Sequence, residues 1–96
     1  MYKLFVPYKD KKPAVVEVKG HKVIILTTER SSMEDDMALV GGETCRSINL
    51  EGTTRQQMLS LRKLSDRSGA GIVVNAGSVD LSDVIKNLEA ELPWLQ

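Results

Sequence analysis

The block Val23-Ile24-Ile25-Leu26, inside the segment 22–28 (KVIILTT), limits the fold more than any other feature of the chain. It is rich in β-branched residues, and its alternate positions are apolar on both sides. A strand that exposed either face would place large side chains in water, so such a strand belongs in the middle of a sheet covered on both faces. The rest of the chain must supply neighbouring strands and covering helices.

The neighbours are legible on either side. Segment 2–8 (YKLFVPY) alternates as a strand, with Tyr2, Leu4, Val6 and Tyr8 on one face and Lys3, Phe5 and Pro7 on the other. Pro7 has no N–H to donate, which predicts an edge strand or a strand end. Residues 9–13 (KDKKP) read as a charged turn, 14–19 (AVVEVK) as a second strand, and Gly20-His21 as the tight connection of a hairpin.

Three helices follow from 3.6-residue spacing and end signals. Residues 31–40 (SSMEDDMALV) carry an apolar stripe of Met33, Met37 and Val40, with Ser31 or Ser32 as cap, acidic residues in the first turns and Gly41-Gly42 as terminator. Segment 44–50 (TCRSINL) is a weaker strand, with Arg46, Ile48 and Leu50 on one face. The next helix starts at Thr53 or Thr54, where Thr54 and Gln57 have capping-box spacing, and ends at Gly69. Residues 71–75 (GIVVN) are a short buried strand. Leu81, Val84, Ile85, Leu88 and Leu92 define the last helix, which Asp80 and Asp83 open and Pro93 stops.

The order is therefore βββαβαβα: an α+β (or α/β) fold with a mixed sheet of four to five strands and helices packed on one or both faces. The 96 residues allow one domain, 1–96, divided into an N-terminal hairpin region 1–28, a βαβα unit 44–92 and a C-terminal tail 93–96. Ile25, Leu61, Val73, Ile85 and Leu88 are expected to share the core.

Charge is balanced in total and blocked in sequence. Lys3, Lys9, Lys11, Lys12, Lys19 and Lys22 outweigh Asp10 and Glu17 in the first 22 residues; residues 29–51 are acidic; 53–68 are basic through Arg55, Arg62, Lys63 and Arg67; and 78–96 are acidic. The simplest expectation is that blocks of opposite sign fold onto one another.

Candidate chemistry is sparse. A single cysteine, Cys45, excludes an intramolecular disulfide, and the one histidine, His21, is expected in a turn. Neither has activating groups nearby in sequence, and no Cys/His spacing suits a metal. Glu34-Asp35-Asp36 lacks the alternation of a calcium loop. The turn Asn75–Ser78 precedes a helix, yet 71–78 matches neither glycine-rich phosphate motif. No catalytic residue, metal or cofactor is therefore expected.

Two groups of residues are candidates for binding. The aromatics Tyr2, Phe5, Tyr8 and Trp94 could anchor a partner near the chain ends. Arg55 and Arg62 form one row of the basic helix, and Lys63 and Arg67 a second, so the helix could contact phosphates. With zero net charge and few aromatics, nucleic acid is the alternative rather than the first reading. A third reading is a small ligand binder or enzyme using Cys45 and His21 or the 75–78 turn. The first expectation is a non-enzymatic cytoplasmic protein, an adaptor or regulatory module, acting through a protein partner or as a homodimer through edge strand 2–8 or Trp94. No apolar run approaches the ~20 residues of a membrane span, nor does an apolar signal segment follow the N-terminal lysines.

Overall fold

A computed structural model describes residues 2–75 and 80–91. The strands are β1 (Tyr2–Lys9), β2 (Lys12–Pro13), β3 (Val16–Val18), β4 (His21–Thr27), β5 (Thr44–Leu50) and β6 (Gly71–Asn75). The helices are α1 (Arg30–Asp35), continued by a 3₁₀ turn (Met37–Val40), α2 (Thr54–Ser68) and α3 (Leu81–Glu91). The mixed α+β sheet expected from sequence is present, with six strands rather than four or five. The additional strand is β2, part of the segment read as a turn.

β1 is interior to the sheet, not at its edge. β5 pairs antiparallel along it from Tyr2↔Leu50 to Tyr8↔Thr44. The opposite edge of β1 is shared: β4 pairs at Phe5↔Thr27, and β2 takes over at Tyr8↔Pro13 and Lys9↔Lys12. Pro7 stands at that change of partner. Its carbonyl accepts the Ala14 N–H at 2.7 Å, and a strand residue points its N and C=O to the same edge. Residues opposed in this way exchange two bonds, so the missing N–H costs the reciprocal bond to Ala14, and the pairing of β1 with β2 ends there. Segment 2–8 is therefore not the edge strand on which the expected homodimer route rests.

β4 has the same divided arrangement. β6 runs parallel along it from Val23↔Gly71 to Thr27↔Asn75, while β3 and β1 share its other edge. Four strands thus span the sheet in the order β5-β1-β4-β6, with β2 and β3 wedged where β1 and β4 diverge. β5 and β6 are parallel to each other, but β1 and β4 lie between them.

Both connections inside this wedge are tight hairpin loops. Lys9↔Lys12 closes over Asp10 and Lys11, and Val18↔His21 over Lys19 and Gly20. All four loop residues have positive φ (53°, 65°, 49° and 83°), the sign a type I′ turn requires at both central positions. The second turn is therefore Lys19-Gly20, and His21 is already the first residue of β4.

The sheet is covered on both faces, as the 23–26 block demanded. On one face Leu4, Val6, Ile24, Leu26 and Leu50 are buried beneath α2, which contributes Leu61 and Leu64. On the other, Val18, Val23 and Ile25 pack with Met33, Val40 and Leu81, and α3 adds Val84, Ile85 and Leu88. The expected five-residue core is thus divided by the sheet. Ile25, Val73, Ile85 and Leu88 share one cluster and Leu61 belongs to the other; of the five, Ile25 alone is fully buried.

The helix ends correct two sequence readings. α1 begins at Arg30 after Glu29, with no side-chain cap and no acidic residue in its first turn; Glu34 and Asp35 fall at its other end. The expected helix 31–40 breaks at Asp36, and Gly41, left-handed at φ 74°, ends the 3₁₀ turn. α2 does use a capping box, one residue earlier than expected. The Gln56 N–H donates to Thr53 Oγ1 and the Thr53 N–H donates to Gln56 Oε1. A Cβ at Gly52 would collide with the Gln56 amide, so a glycine immediately before Thr53 is what admits this register.

Two stability predictions follow. Leu26→Ala should cost ~2–5 kcal/mol in denaturant titration, while Leu88→Ala, which is only half-buried, should cost less. Gly20→Ala should cost about 1 kcal/mol: nothing lies within 4 Å of the added Cβ, so the loss reflects the left-handed backbone alone.

Candidate functional site

Burial first separates the candidate residues into structural and accessible ones. Phe5 packs against the α3-side cluster, and the Arg30 guanidinium lies 5.9 Å from its ring centroid. Arg30 also makes a 2.8 Å ion pair with Glu34, the one ion pair among the described residues. Cys45, opposite Pro7 on β5, packs into the same region. Burial raises its thiol pKa, Arg30 lowers it and Glu34 raises it, for a net upward shift. A raised pKa keeps the thiol protonated and opposes nucleophilic activation.

His21 and Cys45 are not brought together. His21 starts β4, Cys45 lies on β5, and β1 runs between those strands. Two strand spacings alone amount to roughly 10 Å. Of the 75–78 turn, Asn75 is buried at the end of β6, and 76–78 lie outside the described residues. The side chain of Tyr2 and the whole of Trp94 also lie outside them, and with Trp94 the second homodimer route.

The basic helix is where the structure brings candidate residues together. Its two cationic rows flank the apolar side of α2 in opposite directions. Lys63 and Arg67 border a cleft of about 300 Å³ between α2 and strands β1 and β5, walled by Val6, Tyr8, Ile48 and Leu64. Arg46, on the same face of β5, sets its guanidinium 4.8 Å from the Tyr8 ring centroid, a cation–π distance. Arg67 also borders the next hollow, shared with Lys12. Among the described residues no carboxylate lines the cleft; Glu51 lies in an adjoining hollow with Lys63 and forms no ion pair with it.

The charge blocks meet through backbone pairing and apolar packing rather than through ion pairs: the basic segment 1–22 lies against the acidic segment 29–51 along β1 and β5, and across the described residues no ion pair joins opposite blocks. Part of the N-terminal lysine block also adjoins the basic helix. Arg46 and Lys12 were missed as site residues. Arg46 could have been found from its place beside Ile48 and Leu50 on the apolar face of strand 44–50; Lys12 carried no such signal.

The other flank of α2 is different. Arg62 borders a groove with Met58, Leu61, Ser65, Ile72 and Val74 between α2 and β6. Met58 and Val74 are 66% and 38% exposed, respectively. Among the described residues β6 pairs with β4 alone, so its outer edge lies beside this groove. Arg55 stands exposed in the first turn of α2. Among the described residues there is no helix long and apolar enough to cross a membrane and no metal-binding cluster.

No protein-family model matches the chain, and comparison with curated proteins and with solved structures finds no match either.

The Cys45 environment has a measurable consequence. Its folded pKa lies above the unfolded value, so folding favours the protonated thiol. That contribution is complete below the unfolded pKa and is lost as pH rises through the folded one. Unfolding followed from neutral to alkaline pH should show a decline that Cys45→Ala reduces. Alkylation of the native thiol near neutral pH should be slower than in the denatured chain.

Proposed function

We propose that this chain is a non-enzymatic binding module of the cytoplasm that acts through protein contacts, and that the α2–β6 flank is its contact surface. The observation that carries this reading is the pairing of an uncharged strand edge with exposed apolar side chains. β6 (GIVVN) has no charged residue, whereas the other outer strand, β5, carries Arg46 and polar Ser47 and Asn49. Charges are the usual protection of an edge strand, and β6 has none. Met58 and Val74 extend the apolar surface from the strand onto α2.

The partner we favour is a second copy of the chain. Antiparallel pairing of β6 with its equivalent satisfies a two-fold axis, on which one patch meets itself. It would join the two sheets into one and bring the two Met58–Val74 surfaces together. The non-enzymatic part of the reading is supported by the separation of His21 from Cys45 and by the upward shift of the Cys45 thiol. A lone free cysteine suits a reducing compartment. Nucleic acid along α2 is the weaker reading, because the two cationic rows face different grooves instead of one phosphate track.

Sedimentation of the full chain should show a dimer. Val74→Lys and Met58→Glu should each weaken it by about 2 kcal/mol or more, the scale of a hot-spot loss, without unfolding the monomer, since both side chains are exposed. A wild-type chain that stays monomeric at high concentration would remove the self-association reading.

A further inference from the structure

We propose that the cleft between α2 and strands β1 and β5 binds a small organic phosphate carrying a flat ring, of the size and chemistry of a mononucleotide. This site lies on the opposite flank of α2 from the contact surface above and rests on separate observations.

The first is charge without compensation. Lys63 and Arg67, on successive turns of α2, border one side of the cleft. Arg46, stacked on the cleft residue Tyr8, lies beside it, and Lys12 shares the next hollow with Arg67. None of these cations has an ion-pair partner among the described residues, and no carboxylate lines the cleft. Like charges converging on a concave, partly apolar wall raise the local potential and attract an anion. Arg67 can bind phosphate oxygens through two parallel N–H groups, and Lys63 adds a point charge.

The second is shape and wall chemistry. Val6, Ile48 and Leu64 give the cleft an apolar side, and its volume of about 300 Å³ is at the small end of ligand pockets. That space suits one ring and one phosphate better than a folded peptide. The Arg46 guanidinium over Tyr8 covers part of that ring and holds the cation close to the cleft. A bare inorganic phosphate would satisfy the cations but leave the apolar wall unused. A nucleic-acid strand would need the row of Arg55 and Arg62 as well, and Arg62 faces the other groove.

Calorimetric titration of the full chain with adenosine monophosphate, inorganic phosphate and a short oligothymidylate tests this directly. Saturable binding of adenosine monophosphate is expected, tighter than that of inorganic phosphate. Lys63→Gln and Arg67→Gln should each weaken it about tenfold, the usual scale for losing a charged hydrogen bond. Arg55→Gln and Met58→Glu, on exposed positions away from the cleft, should leave it unchanged, which separates this site from the contact surface. The proposal is overturned if the nucleotide does not bind, if the cleft variants bind it as well as wild type, or if inorganic phosphate binds equally well. It is also overturned if the oligothymidylate binds far more tightly and loses affinity equally from Arg55→Gln and Arg67→Gln, the signature of a strand tracking the whole helix.

Discussion

The change of partner along β1 at Pro7 is the constraint on which the rest of the sheet depends. A proline inside a sheet can accept a ladder bond but cannot return one, so a ladder ends or changes partner there. Here β4 leaves β1 after Phe5, β2 joins at Tyr8, and the Pro7 carbonyl takes the Ala14 N–H. With β1 thereby kept interior, β5 is free to pair along its full length on the other side. That arrangement sets Arg46 and Ile48 on the same face as Val6 and Tyr8. The wedge of β2 and β3, with its two tight positive-φ turns, fills the space that opens as β1 and β4 diverge.

Local features were legible in the sequence because their causes are local. The apolar block 23–26 required a two-sided cover, and α2 on one face with α1 and α3 on the other provide it. Gly41 and Gly69 end helices because left-handed backbone is open to glycine. The errors have equally specific causes. Thr53-Thr54 and Gln56-Gln57 offer the same capping spacing in two registers, and the difference is made by Gly52, whose lack of a side chain leaves room for the Gln56 amide. Pro7 suggested an edge because the sequence shows the missing donor but not which neighbour stands opposite it.

The candidate site was legible only in pieces. Lys63 and Arg67 could be placed on one helical row, and Tyr8 on an apolar strand face. Their convergence depends on β5 pairing with β1 and on α2 lying alongside that pair, and both are contacts between distant segments. The division of the basic helix into two flanks was implicit in its row spacing. What each row would face was not, since it is set by which outer strand lies on each side of α2.

The contrast between the two grooves has a simple geometric origin. A helix is about 10 Å across, while four strands at ~4.8 Å spacing set the outer strand axes roughly 14 Å apart. One helix seated over the middle of such a sheet buries the central strands and leaves both outer strands partly uncovered. This is the pattern observed: Leu4, Val6, Ile24 and Leu26 beneath α2 are fully buried, whereas no residue of α2 itself is. On the other face, α1, its 3₁₀ extension and α3 share the covering. The two grooves are thus a consequence of covering a four-strand sheet with a single helix, and their character is set by the side chains that border them. Lys63 and Arg67 make the β5 side cationic, with Arg46 stacked on Tyr8 beside it, and Met58, Ile72 and Val74 make the β6 side apolar. A fold that leaves two grooves along one helix therefore presents two chemically distinct surfaces on opposite flanks of that helix.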